Sequence, residues 1–267
     1  MRMNREGRLS DGTYCEVKGE GPPLILLHGV GLNRTTWRAQ VAAFAGRFTV
    51  VTYDHLGHGR SRHIQSDVQL DEFVDQLTRV MDQLQITRAH VVGFSFGGLV
   101  AQSFALKHPD RLDKLVLMST VYDRTKEELA GVSGRLAKAR EEGPRSIIPA
   151  AIERWFSPAF VAGQPEVIGE IERGLRSNDP TSFLTAYSIF CNAEAELAGK
   201  LTAVAAPTLA ITGELDTGST PAMVERMVGD IENAHGKIIE SGRHMMPMEM
   251  ADEVNAALLT FLTDGSG

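Results

Sequence analysis

The sequence predicts an α/β fold, a mostly parallel central sheet covered on both faces by helices, with a helical segment inserted near its middle. Three observations predict it. From Tyr14 to Leu117, short and nearly continuous apolar runs alternate with amphipathic stretches, the rhythm of strands buried on both faces and joined by crossover helices. After Ser119 that rhythm stops for roughly eighty residues and resumes at Pro207. Between one apolar run and a stretch of small residues stands Gly93-Phe-Ser-Phe-Gly97, the pattern of a tight strand-to-helix turn.

Taken in order, the strands expected are Leu24 to Leu27, Thr49 to Tyr53, His90 to Gly93 and Leu112 to Leu117. Between the second and third, Leu70, Phe73, Val74, Leu77, Val80, Met81 and Leu84 recur at helical spacing with Asp71, Glu72, Asp75 and Arg79 between them. That is a crossover helix lying on the sheet. The insertion carries Pro144, Pro149, Pro158, Pro165 and Pro180, which fit the starts of several short helices better than one long one. A strand at Pro207 to Thr212, a helix from Pro221 to Val228, a strand at Lys237 to Glu240 and a helix from Asp252 to Leu262 complete the pattern. The division read from this is a core of 1–120 and 205–267 with a helical cap of 121–204, closed by a frayed tail, Asp264-Gly-Ser-Gly.

Composition narrows the classes of function. A hydrophobic share of 43% and a charged share of 23% are those of a folded, water-soluble protein. A formal net charge of -7 offers no basic footprint for nucleic acid or an anionic membrane, which leaves small molecules as the expected partners and a homo-oligomer as an open possibility. Cys15 and Cys191 stand far apart without ligand-like spacing, so neither a disulfide framework nor a metal site is expected, and no cofactor is implied. The polar start, Met1 to Arg8, has no apolar stretch behind it, and a cytoplasmic location is expected.

The chemistry concentrates in a few places. Ser95 sits at the centre of the tight turn, where Gly93 and Gly97 leave room for a strained backbone and the start of a helix favours developing negative charge. His28-Gly29-Val30-Gly31 follows the first strong strand, so the backbone N–H groups of Val30 and Phe96 are the expected pair of donors to an oxyanion. Eight histidines compete for the role of base. His28 reads as a turn residue, His58 lies between two glycines, and His63, His108 and His235 lie in polar loops or helix ends. His244 follows the last strand by a short loop, at the sheet edge where open α/β sheets build their sites. An acid is expected between serine and histidine in chain order, and Asp216, in Gly213-Glu-Leu-Asp216, meets that requirement ahead of Glu214 and Asp123.

These segments, with Tyr53-Asp-His-Leu-Gly-His-Gly-Arg-Ser61, resemble the α/β-hydrolase family in its capped, small-molecule branch, and most of all the 3-oxoadipate enol-lactonases and related esterases. The resemblance implies a serine hydrolase with Ser95 as nucleophile, a lid formed by the insertion, and a loop at the site entrance from Asp54 to Ser61. Serine at the nucleophile position departs from the haloalkane dehalogenases and epoxide hydrolases of this fold. Met245 departs from the tryptophan common in carbon–carbon hydrolases. The expected function is therefore hydrolysis of a small carboxylic ester or enol-lactone through an acyl-enzyme on Ser95. A carbon–carbon hydrolase, an acyltransferase and a non-hydrolytic ligand-binding protein remain as alternatives. Trp155, Phe156, Phe160, Phe183, Tyr187 and Phe190 are either pocket lining or the lid's own core, and Arg173 and Arg176 read as solvated charge.

Overall fold

The computed structural model describes residues 5–65 and 67–264. Met1 to Asn4 and Gly265 to Gly267, parts of the polar start and the tail discussed above, lie outside them. Eight strands form one sheet: β1 Arg5–Arg8, β2 Tyr14–Lys18, β3 Pro23–Leu27, β4 Thr49–Tyr53, β5 Ala89–Phe94, β6 Leu112–Met118, β7 Thr208–Gly213 and β8 Ala234–Ile239. Their order is β1-β2-β4-β3-β5-β6-β7-β8, antiparallel across the first two pairs and parallel from there on. The helices are α1 Arg38–Phe44, α2 Leu70–Gln83, α3 Phe96–Lys107, α4 Lys126–Glu142, α5 Ile148–Trp155, α6 Pro158–Gly163, α7 Pro165–Ser177, α8 Pro180–Asn192, α9 Pro221–Asp230, α10 Met246–Glu249 and α11 Ala251–Thr263.

Both faces of the sheet are covered, because β3 to β7 carry apolar side chains on each side of the pleat. On one face Phe73, Leu77 and Val80 of α2, Phe104 of α3 and Met223 of α9 pack with Ile25, Val51 and Val91. On the other, Trp37 and Phe44 join Val254 and Leu258 of α11 against Leu24, Val50, Val92 and Val116. The start of α2 is held by Glu72, whose Oε2 accepts from the N–H of Gln69 at 2.7 Å.

Topology puts the site at one edge. The chain leaves β3 to make β4 on one side and returns to make β5 on the other, so the carboxyl ends of β3 and β5 flank the point where strand order reverses. The loops leaving β3, β5, β7 and β8 all open on that edge. Helices α4 to α8 fill the interval between β6 and β7. Four of them, α5 to α8, carry proline in the first turn, where a missing N–H is harmless. Among the described residues no helix is long and apolar enough to cross a membrane, and no group of three or more His, Cys, Asp or Glu is placed to hold a metal ion.

Candidate active site

Ser95 stands between β5 and α3 with φ 54 and ψ -114, a backbone conformation that a side chain adopts only under strain. The glycines around it are required by space. A Cβ on Gly93 would lie 2.4 Å from the carbonyl oxygen of Gly97, one on Gly97 would lie 2.4 Å from that of Leu27, and one on Gly98 would lie 2.3 Å from Thr120 Cβ. Thr120, which the sequence did not single out, secures the turn from the segment after β6 by donating its hydroxyl to the Ser95 carbonyl at 2.7 Å.

The loop after β3 also packs against the turn, since a Cβ on Gly29 would lie 3.2 Å from Ser95 Cβ. Gly31 in this loop has φ 76, and its carbonyl accepts from Asn178 Nδ2 at 2.7 Å, which ties the loop to the chain between α7 and α8. Val30 borders the same cavity as Ser95, and Phe96 is the first residue of α3, so its N–H has no acceptor within the helix.

Two loops bring Asp216 and His244 together. A Cβ on Gly213 would lie 2.3 Å from the backbone of Gly242, and the N–H of Leu215 donates to the Gly242 carbonyl at 2.8 Å. This backbone contact lays the end of β7 against the loop after β8. Across it His244 Nδ1 donates to Asp216 Oδ2 at 2.7 Å. The other carboxylate oxygen, Oδ1, accepts from the N–H groups of Gly218 at 2.9 Å and Ser219 at 3.0 Å. Burial pushes the Asp216 carboxyl upward, but His244 and these two amides outweigh it and hold the group below its ordinary value. A carboxylate that only accepts fixes the proton on Nδ1, leaving Nε2 of His244 with a lone pair. The ring stacks on Trp155 at 5.9 Å and lies 5.0 Å from the ring of Phe94. The N–H of Met245 donates to the Trp155 carbonyl at 3.0 Å, so the histidine loop is also fastened to α5.

Neither rival acid is placed this way. Glu214 is exposed and accepts from the N–H of Ser241 at 2.9 Å, and Asp123 is exposed with φ 45.

Ser95 and His244 share a cavity of about 190 Å³ whose walls include Trp155, Leu175, Phe183, Tyr187 and Phe190. Four of the six aromatics named from the sequence therefore line it. The other two do not: Phe156 is fully buried, and Phe160 borders a separate groove beside α1 and α7. Arg173 and Arg176 are exposed, outside the cavity.

One expectation needs correction. The segment Asp54 to Ser61 does not border the cavity. Most of it is buried, with Asp54 accepting from the N–H groups of Arg34 and Arg60 at 2.8 Å each and a Cβ on Gly57 only 2.7 Å from Ser182 Cβ beneath α8. It braces the loop after β3 from behind: the N–H of His55 donates to His28 Nε2 at 2.9 Å. Met245, beside His244, has its side chain fully buried in the core and does not line the cavity.

Residues 22–148 match the family model described as the alpha/beta hydrolase fold. The chain is 29% identical over 92% of its length to an (E)-2-((N-methylformamido)methylene)succinate hydrolase of Acinetobacter baylyi, of which 92% is covered. It is 30% identical over 95% of its length to a pimeloyl-[acyl-carrier protein] methyl ester esterase of Vibrio atlanticus, of which 99% is covered. Among solved structures, the enol-lactonase from Burkholderia xenovorans LB400 superposes with a TM-score of 0.87 at 26% identity, covering 97% of this chain and 100% of that one. With an eight-stranded, mostly parallel sheet, a strained serine turn after the central strand and full-length relatives of this kind, the chain belongs to the α/β-hydrolase fold family.

Proposed function

We propose that this protein hydrolyses a small carboxylic ester or lactone through an acyl-enzyme on Ser95. The observation that carries the reading is the meeting, in one cavity, of a serine on a strained turn with a histidine whose Nδ1 proton is held by a buried carboxylate. His244 Nε2 takes the proton from Ser95 Oγ as Oγ attacks the substrate carbonyl. The negative charge that gathers on the carbonyl oxygen falls to the N–H groups of Val30 and Phe96, the latter at a helix start whose dipole adds to the effect. The imidazolium then protonates the departing alkoxide, or the enolate of a lactone. A water molecule, deprotonated by His244, releases the acid and restores Ser95. Asp216 acts on His244 throughout, keeping the tautomer and stabilising the ring while it is charged.

The helical segment 121–204 serves as a lid in this reading, contributing Trp155, Leu175 and Phe183 to the walls around Ser95. The choice of an oxygen over a carbon leaving group rests on the esterase and enol-lactonase among the similar proteins, since the Met245 side chain does not line the cavity. Turnover of p-nitrophenyl acetate by wild type and Ser95→Ala tests the reading. The variant should lose at least three orders of magnitude in kcat, because a triad acts as a unit. A folded Ser95→Ala protein that keeps wild-type turnover would remove Ser95 from the chemistry.

A further inference from the structure

The cavity around Ser95 is bordered by three arginines, Arg124, Arg135 and Arg154, and by Glu127 and Glu128. Part of this charge is already engaged. Arg124 donates Nη2 to the carbonyls of Phe190 at 3.0 Å and Cys191 at 3.2 Å and lies over the Phe190 ring. Glu128 accepts from the N–H of Thr125 at the start of α4 and pairs with Arg226 at 3.0 Å. Glu127 is exposed to water.

Arg135 and Arg154 differ from these. They project from separate helices, α4 and α5, and both are only partly exposed. Among the described residues neither forms an ion pair: Arg135 Nε donates to Tyr187 Oη at 3.3 Å, and Arg154 Nη1 donates back to the Ala150 carbonyl of its own helix at 3.5 Å. Each guanidinium presents five N–H donors, so most of both forks is left for something else. Burial, and next to it the charge of Arg135, pull the Arg154 guanidinium down from its ordinary value. Two like charges held close in a half-buried cavity are unfavourable unless an anion lies between them, and a planar fork suits a carboxylate best.

We propose that Arg135 and Arg154 clamp a free carboxylate on the substrate, so that the natural ester or lactone is one that carries a second, ionised carboxyl group. This rests on the hydrolytic reading of Ser95 and narrows its substrate class. The apolar walls formed by Trp155, Leu175 and Phe183 then hold the carbon chain between the two polar ends.

The test compares two esters with the same five-carbon acyl chain, mono-p-nitrophenyl glutarate, which is anionic, and p-nitrophenyl valerate, which is neutral. Wild type should prefer the glutarate ester by about ten-fold or more in kcat/KM, expressed chiefly in KM, as expected for charge-assisted hydrogen bonds. That ratio should fall toward one in Arg135→Gln, Arg154→Gln and the double variant, and recover in part in Arg154→Lys. Free glutarate should inhibit the wild-type protein competitively and the double variant at least ten-fold more weakly. If the double variant does not fold, the single variants and the wild-type inhibition by glutarate still decide. A wild-type ratio of one, or a ratio unmoved by either substitution, overturns the clamp alone. Failure to turn over either ester would instead overturn the hydrolytic reading beneath it.

Discussion

Replacing Asp216 by asparagine changes one atom, and the hydrogen bonds around it determine how the amide must sit. Oδ1 accepts from the N–H groups of Gly218 and Ser219 at 2.9 and 3.0 Å, so the amide oxygen has to occupy that place. The reversed orientation would set the NH2 group against two buried donors and forfeit both bonds, at a cost of about 1–3 kcal/mol for each group left unsatisfied. The NH2 group is therefore directed at His244 Nδ1, at the 2.7 Å position where a carboxylate oxygen now accepts. Facing a donor, Nδ1 must become the acceptor, and the ring proton moves to Nε2, where it blocks uptake of the Ser95 proton. The expected loss in kcat is on the order of 10⁴, the scale of a triad aspartate replaced in this way, which corresponds to about 5.5 kcal/mol in the barrier. The assay is steady-state hydrolysis of p-nitrophenyl acetate, with thermal denaturation to show that the variant is folded. A folded Asp216→Asn protein within ten-fold of wild type would refute the reasoning. A larger loss in Asp123→Asn than in Asp216→Asn would transfer the role to the exposed residue after β6.

Two further outcomes follow from strain and burial. At φ 54 and ψ -114 a glycine is unstrained whereas alanine is not, so Ser95→Gly should be more stable than Ser95→Ala by about 1 kcal/mol, once the entropy cost of glycine is set against the strain released. Calorimetry should show this as a few degrees in Tm, and equal stabilities would contradict it. Burial pushes His28 down to about 4 and His58 down to about 3, and His55 well below its ordinary value. Because these folded values lie below the unfolded value near 6.5, the unfolded chain binds more protons between them, and stability falls as pH drops from about 6.5 towards 4. His28 alone accounts for about 3 kcal/mol over that window, and urea denaturation at several pH values should show the decline, with a shallower slope in His58→Gln. Stability that stays flat from pH 7 to pH 4.5 would contradict the neutral, buried state of these rings.

The parallel strands were legible because burial on both faces leaves an uninterrupted apolar run. Thr49 to Tyr53 is β4 to the residue, and β5 extends the expected strand by one residue at each end. Strands covered on one side only left a weaker trace. β1, Arg-Glu-Gly-Arg, is polar and largely exposed, β2 carries Glu16 and Lys18, and neither forms a continuous apolar run. The edge strand β8 begins three residues before the strand read from the sequence, because Ala-His-Gly-Lys at its start faces outward and carries no pattern. For the site, chain order and strand ends pointed to Ser95, Asp216 and His244, which lie at one edge of the sheet, with His244 bonded to Asp216 and sharing a cavity with Ser95. Distance in the chain concealed the rest: Thr120 against the serine turn, Trp155 against the histidine ring, and Arg135 and Arg154 at the cavity wall. A cavity-facing arginine on a helix carries no local signal that tells it from a solvated one. Arg173 and Arg176, which are exposed, looked no different.

The central claim, that Ser95 is the nucleophile, is tested most directly by reaction with a fluorophosphonate followed by mass spectrometry of the digested protein. A serine activated by His244 and lying beside two oxyanion donors should take up one adduct, on Ser95, with loss of esterase activity in step, and no adduct should form in His244→Ala under the same conditions. An adduct on another residue, or a wild-type protein that turns over p-nitrophenyl acetate while Ser95 stays unmodified, would contradict it.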